Sequence, residues 1–196
     1  MKPFQQKLLR KNLLLIDLEA TCDDGGAVPR NEMEIIEIGA VELDNKIRVI
    51  NEYDWFVKPV RHPTLTPFCT RLTSITQNQV DSAPSFPEVL ALLNQKVDLS
   101  KVVFCSWGNY DRTQFEQDCE FHGVEYPFGP YHINVKVAVA RFLGLRKPKG
   151  VGGMLRHFGL DFEGTPHRGI DDVKNITRIL RASRMTFQDI VSYAGS

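Results

Sequence analysis

The chain has 196 residues, and its 24 Lys and Arg balance 24 Asp and Glu, for a formal net charge of zero. Neutrality excludes a general basic coat of the kind that grips phosphates by bulk charge, so any nucleic-acid contact must be local and chemically specific. The length suits one domain with its own core, and 42% hydrophobic residues plus 14 glycines fall in the globular range, which excludes disorder as the main state.

Lys2, Lys7, Arg10 and Lys11 precede an apolar run at residues 13–16, which is too short for a signal peptide. Nowhere does the chain offer the roughly eighteen apolar residues of a membrane span, so no membrane association is expected. Cys22, Cys69, Cys105 and Cys119 form no CxxC pair and no zinc-finger spacing, which points to a reducing, cytoplasmic setting. Residues 13–16 read as a strand buried on both faces, and the run continues into Asp17-Leu18-Glu19-Ala20-Thr21. Residues 35–43 and 47–57 read as two more strands, with a loop at Asp23-Asp24-Gly25-Gly26, and together the three suggest an antiparallel meander.

Beyond Pro59, closely spaced Pro and Thr residues mark short helical pieces. Ser85-Phe86-Pro87-Glu88 is a capping box opening a helix to about Asn94. A fourth buried strand is expected at 102–107, followed by helices at 110–122, 135–143, 151–158 and 171–184. The expected class is α/β, a mixed sheet with helices on its faces.

Alternation along a strand puts Asp17 and Glu19 on one face, where two partly buried carboxylates repel each other and lose hydration. Two readings are open: a solvated pair at a sheet edge, or a site for a hard divalent cation, Mg²⁺ or Mn²⁺. On the last long helix, Val173, Ile176, Ile179 and Leu180 define a buried stripe; Asp172 lies on its edge, whereas Asp171 looks outward as a solvated or capping residue. An inward acid there takes either an Arg or backbone amide, or the same metal. Asp111 opens the helix after the fourth strand, either as a complement to the helix dipole or as a further ligand. His167, in a turn five residues before Asp172, is either a surface histidine or a general base for activating water. His62, His122, His132 and His157 read as structural, and Asp23, Asp24, Asp118 and Asp161 as solvated or loop residues.

The order Asp17-x-Glu19, Asp111, His167 and Asp172, with the phrases EIIEIGAV (34–41) and HRGIDDVKN (167–175), resembles the DEDDh exonucleases of the DnaQ-like, ribonuclease-H-like superfamily. DLEATC (17–22), FCTRLTSITQNQVDSAPSFPEVL (68–90), SWGNYD (106–111) and HINVK (132–136) narrow the likeness to the Eri-1 and histone-mRNA 3′-exonuclease group and its bacterial KapD-type relatives. The resemblance covers about residues 11–184 as the exonuclease domain, leaving 1–10 and 185–196 as terminal extensions, and implies a ribonuclease-H-like mixed sheet of about five strands with helices on both faces.

The same resemblance implies a metal-dependent 3′-to-5′ exoribonuclease that releases nucleoside 5′-monophosphates from single-stranded or short structured RNA. Asp17, Glu19, Asp111 and Asp172 would hold two Mg²⁺ or Mn²⁺ ions, with His167 as general base. Leu18, Ala20 and Thr21 would lie beside the terminal nucleotide, Trp107 would either stack on a base or serve as a core residue, and Glu37 would help position the 3′-terminal hydroxyl. Two alternatives stay open: a DNA-directed 3′-5′ exonuclease, and a non-catalytic nucleic-acid-binding module on the same fold. Histone-mRNA enzymes carry a further N-terminal binding module, whereas about ten residues here precede the first strand, so stem-loop recognition of that kind is not expected. If a basic strip guides the strand, Lys147, Lys149, Arg156 and Arg168 are its first candidates.

Overall fold

Leu13, Leu14, Leu15 and Ile16 are each no more than 1% exposed, because their strand, β1 (Asn12–Ala20), lies in the middle of a five-stranded sheet with both faces covered. The computed structural model describes residues 3–194. β2 (Ile35–Leu43) and β3 (Val49–Phe56) follow β1 as the expected antiparallel meander, while β4 (Val102–Ser106) and β5 (His132–Asn134) run parallel on its other side, giving the order β3-β2-β1-β4-β5.

The helices are α1 (Pro3–Leu8), α2 (Pro67–Thr73), α3 (Gln77–Asp81), α4 (Phe86–Lys96), α5 (Tyr110–His122), α6 (Val135–Phe142), α7 (Val151–His157), α8 (Gly169–Ser183) and α9 (Phe187–Ala194). Side-chain alternation divides the core in two. Leu13, Leu15, Val41 and Leu43 pack with Val173, Ile176 and Leu180 of α8, whereas Leu14, Ile16, Leu18 and Phe104 pack with α4 and α5 through Phe86, Leu93 and Phe115. Ser85 and Glu88 form the capping box at the start of α4.

Two elements depart from the sequence reading. The third strand starts later than expected, because Asp44 accepts the N–H groups of Lys46 and Arg48 and builds a turn there. β5 is three residues long and pairs only with β4, too short a run to show a period. Within the expected terminal extensions, Leu8, Met185, Phe187, Ile190 and Val191 are buried in the same cluster as α8. The outer ends of those expected extensions, residues 1–2 and 195–196, lie outside the described residues.

Among the described residues no helix is long and apolar enough to cross a membrane.

Candidate active site

β1 carries Asp17 and Glu19 on the face that α8 covers. Opposite Asp17 in the β1–β2 ladder is Gly39, and opposite Glu19 is Glu37. A Cβ on Gly39 would stand 2.1 Å from the backbone carbon of Gly169, so the glycine leaves room for the first turn of α8 to sit directly above Asp17. Gly169 is equally constrained, since its own Cβ would lie 2.8 Å from the Asp17 carbonyl oxygen. This close approach brings Asp172, one turn into α8, to the two acids of β1. One carboxylate oxygen from each of Asp17, Glu19 and Asp172 lies within 4.8 Å of the others.

Asp111, in the first turn of α5, is buried and accepts the Leu18 N–H at 3.1 Å, which ties the acid to β1 between the other two. It lines the same cleft but stands outside the tight trio. His167 precedes α8 and also lines the cleft; its backbone N–H donates to Asp172 Oδ2 at 2.8 Å. Thus all five residues of the sequence pattern open onto one cleft of about 620 Å³.

The electrostatics of this cleft are those of crowded acids. Burial, then the charges of Asp111, Asp172 and Glu19, holds Asp17 well above the usual carboxylate range. Burial followed by the Asp172 charge pushes Glu19 up to about 9, and burial lifts Asp111 to about 6 against the Leu18 N–H that favours its charge. Burial raises Asp172 as well. Each acid resists the ionisation of the next, and divalent cations among their oxygens would relieve this. The donor set therefore fits hard cations.

The walls only partly follow the sequence reading. Leu18 and Ala20 line the cleft, and so does Trp107, which is also a core residue and donates its indole N–H to the Lys149 carbonyl at 3.1 Å. Thr21 does not reach the wall: it is buried, and its hydroxyl accepts the Glu34 N–H. Glu37 is likewise corrected. It is fully buried beneath the site, where it accepts from Arg168 and from the Gly169 N–H, and no surface remains to meet a hydroxyl of a ligand. Arg168 is thereby removed from the expected basic strip, whereas Arg156 lines the cleft and Lys147 and Lys149 are exposed on the loop beside it.

Asp118, read as solvated, is not so, whereas Asp171, read as solvated or capping, keeps its outward place and holds a loop. Asp118 is buried and accepts the Ile35 N–H and the Gln114 amide; Asp171 accepts the Thr165 N–H at 2.8 Å and braces the loop around Gly164. The sequence reading also missed Met33, Tyr110, Val151 and Phe162 on the walls. Only Tyr110 had a signal, its place beside Asp111. Arg30 sits 4.4 Å over the Tyr110 ring and donates to Gln114, so this wall is braced from behind.

The exonuclease family profile, RNase_T, matches residues 14–180. Human ERI1 exoribonuclease 3 is 35% identical over 183 residues, which take in 86% of this chain and 52% of the relative. The probable 3′-5′ exonuclease KapD of Bacillus subtilis is 30% identical over 172 residues, covering 87% of this chain and 83% of KapD. Among solved structures, the nuclease domain of 3′hExo, a DEDDh family member bound to rAMP, superimposes with a TM-score of 0.80 at 33% identity, over 90% of this chain and 92% of that one. The five-stranded mixed sheet is thus the ribonuclease-H-like exonuclease fold. The chain spans about half the length of the mammalian exoribonuclease relatives it matches.

Proposed function

Because the chain belongs to the RNase_T exonuclease family, we propose that it is a metal-dependent 3′-to-5′ exoribonuclease, hydrolysing phosphodiester bonds from the 3′ end of RNA and releasing nucleoside 5′-monophosphates. The observation that carries this reading is the meeting of Asp17, Glu19 and Asp172 oxygens within 4.8 Å, in a cleft that also holds Asp111 and His167. Asp17, Glu19, Asp111 and Asp172 would hold two divalent cations, Mg²⁺ or Mn²⁺. Bound there, such ions supply charge that activates the attacking water and offsets the leaving 3′-oxygen.

The chain's own residues do the rest. His167, exposed at the mouth of the cleft, takes the proton of the attacking water, and its backbone bond to Asp172 fixes its distance from the acids. Leu18 and Ala20 offer an apolar wall to the terminal nucleotide, and Trp107 adds its side chain to that wall. RNA is favoured over DNA because relatives at 34–35% identity are named exoribonucleases and the 3′hExo nuclease domain holds rAMP. The substrate is single-stranded or short structured RNA, and the four free cysteines suit the reducing, cytoplasmic setting proposed for it.

The test is a 5′-labelled single-stranded RNA, with a free or blocked 3′ end, incubated with Mg²⁺ or Mn²⁺. A ladder shortening from the free 3′ end is expected, lost with EDTA and in Asp17→Ala. Absence of a ladder from the pure wild-type protein overturns the reading. A clear preference for the matched DNA oligonucleotide would replace RNA with DNA.

A further inference from the structure

His167 holds φ at +61°, the left-handed region that an L side chain adopts at a cost, so something must keep it there. On one side its own N–H is taken by Asp172. On the other, the side chain of Arg168 is held on three fronts. Its Nε lies 3.2 and 3.1 Å from the two Glu37 oxygens, and Nη2 is 3.1 Å from one of them. Nη2 also faces Asp54 at 3.6 Å, and the guanidinium lies 5.0 Å over the Phe56 ring. Glu37, with no exposed surface, accepts the Gly169 N–H at 3.0 Å as well.

A buried carboxylate that satisfies both the planar fork of an Arg and a backbone N–H is a stiff joint. It is built on β2, and Glu37 is the cross-strand partner of Glu19. The geometry points to Glu37 and Arg168 as positioning residues for His167: by pinning the two residues that follow it to β2, they maintain the left-handed turn and aim the imidazole into the cleft. The inference rests on the reading of His167 as the base. It assigns Arg168 to alignment and not to guiding phosphates, and the distance between base and acids is then set by the β1–β2 ladder.

Arg168→Lys keeps the charge and loses the fork. Single-turnover hydrolysis should slow by about tenfold to a hundredfold, with KM and the Kd for Mn²⁺ unchanged. In a His167→Ala background the same substitution should cost nothing further, because it acts through the missing ring. Independently of activity, the His167 amide should exchange its hydrogen about tenfold faster in Arg168→Lys, as the bond to Asp172 loosens. If Arg168→Lys folds poorly, Glu37→Gln gives the same readouts. Equal losses in both backgrounds, an unchanged His167 exchange rate, or a raised KM with unchanged kcat and a shallower salt dependence would each overturn the inference. Wild-type protein without any hydrolysis would sink the exonuclease reading, while the exchange measurement would still decide the positioning role.

Discussion

Asp171 and Asp172 are sequence neighbours with different surroundings. Asp172 joins the acidic trio, and Asp171 turns back to hold the Thr165 N–H. Asp172→Ala should abolish hydrolysis and weaken Mn²⁺ binding by calorimetry. Asp171→Ala should keep both and lose about 1 kcal/mol of stability in urea, the worth of one backbone hydrogen bond. The opposite order would refute the assignment of helix faces. That inward and outward division was legible, since the 3.6-residue period fixes it locally. What Asp118, Glu37 and Arg168 do was not legible, because their partners are remote in sequence: Ile35 is 83 residues from Asp118, and Glu37 is 131 from Arg168. Periodicity says which way a side chain points and leaves unsaid what it meets there.

Helix α8 reaches the site only because β2 has no side chain at Gly39. Gly39→Ala would drive a methyl into the backbone of Gly169 and should cost about 3 kcal/mol in chemical unfolding, since a backbone cannot swing aside. The surviving folded protein should also bind Mn²⁺ more weakly, as Asp172 is pushed off Asp17 and Glu19; tight binding in Gly39→Ala would show that the helix tolerates the shift. The long elements were readable from pattern: the central strand from its unbroken apolar run, α8 from its stripe, α4 from its capping box. β5 borrows its stability from β4, a product of tertiary packing that a reading by local period does not contain. α9 was legible and was passed over: Phe187, Ile190 and Val191 stand at helical spacing behind the cap that Thr186 and Asp189 form.

For the whole molecule, pH acts also through a histidine that shares the Ser106 hydroxyl with Asp111. His132 on β5 is hydrogen-bonded to the Ser106 hydroxyl at 2.8 Å, and burial, with help from Arg112, depresses it from the ordinary 6.5 to about 4. The unfolded chain therefore takes up a proton at higher pH than the folded one. The resulting stability is complete above about pH 6.5 and is lost as pH falls through 4, amounting to about 3 kcal/mol. Measured by urea unfolding between pH 7 and pH 4, wild type should lose about that much relative to His132→Gln; parallel curves would show that His132 titrates normally. The zero net charge of the chain likewise conceals an uneven distribution, with acids on the floor of the cleft and Lys147, Lys149 and Arg156 at its side. The placing of Asp172 on the last long helix also has a consequence in time. At roughly 5 to 20 residues per second of synthesis, Asp17 is made about 8 to 31 s before Asp172. During that interval the nascent chain carries at most three of the four acids, and the proposed site beside its own message stays incomplete until α8 has docked.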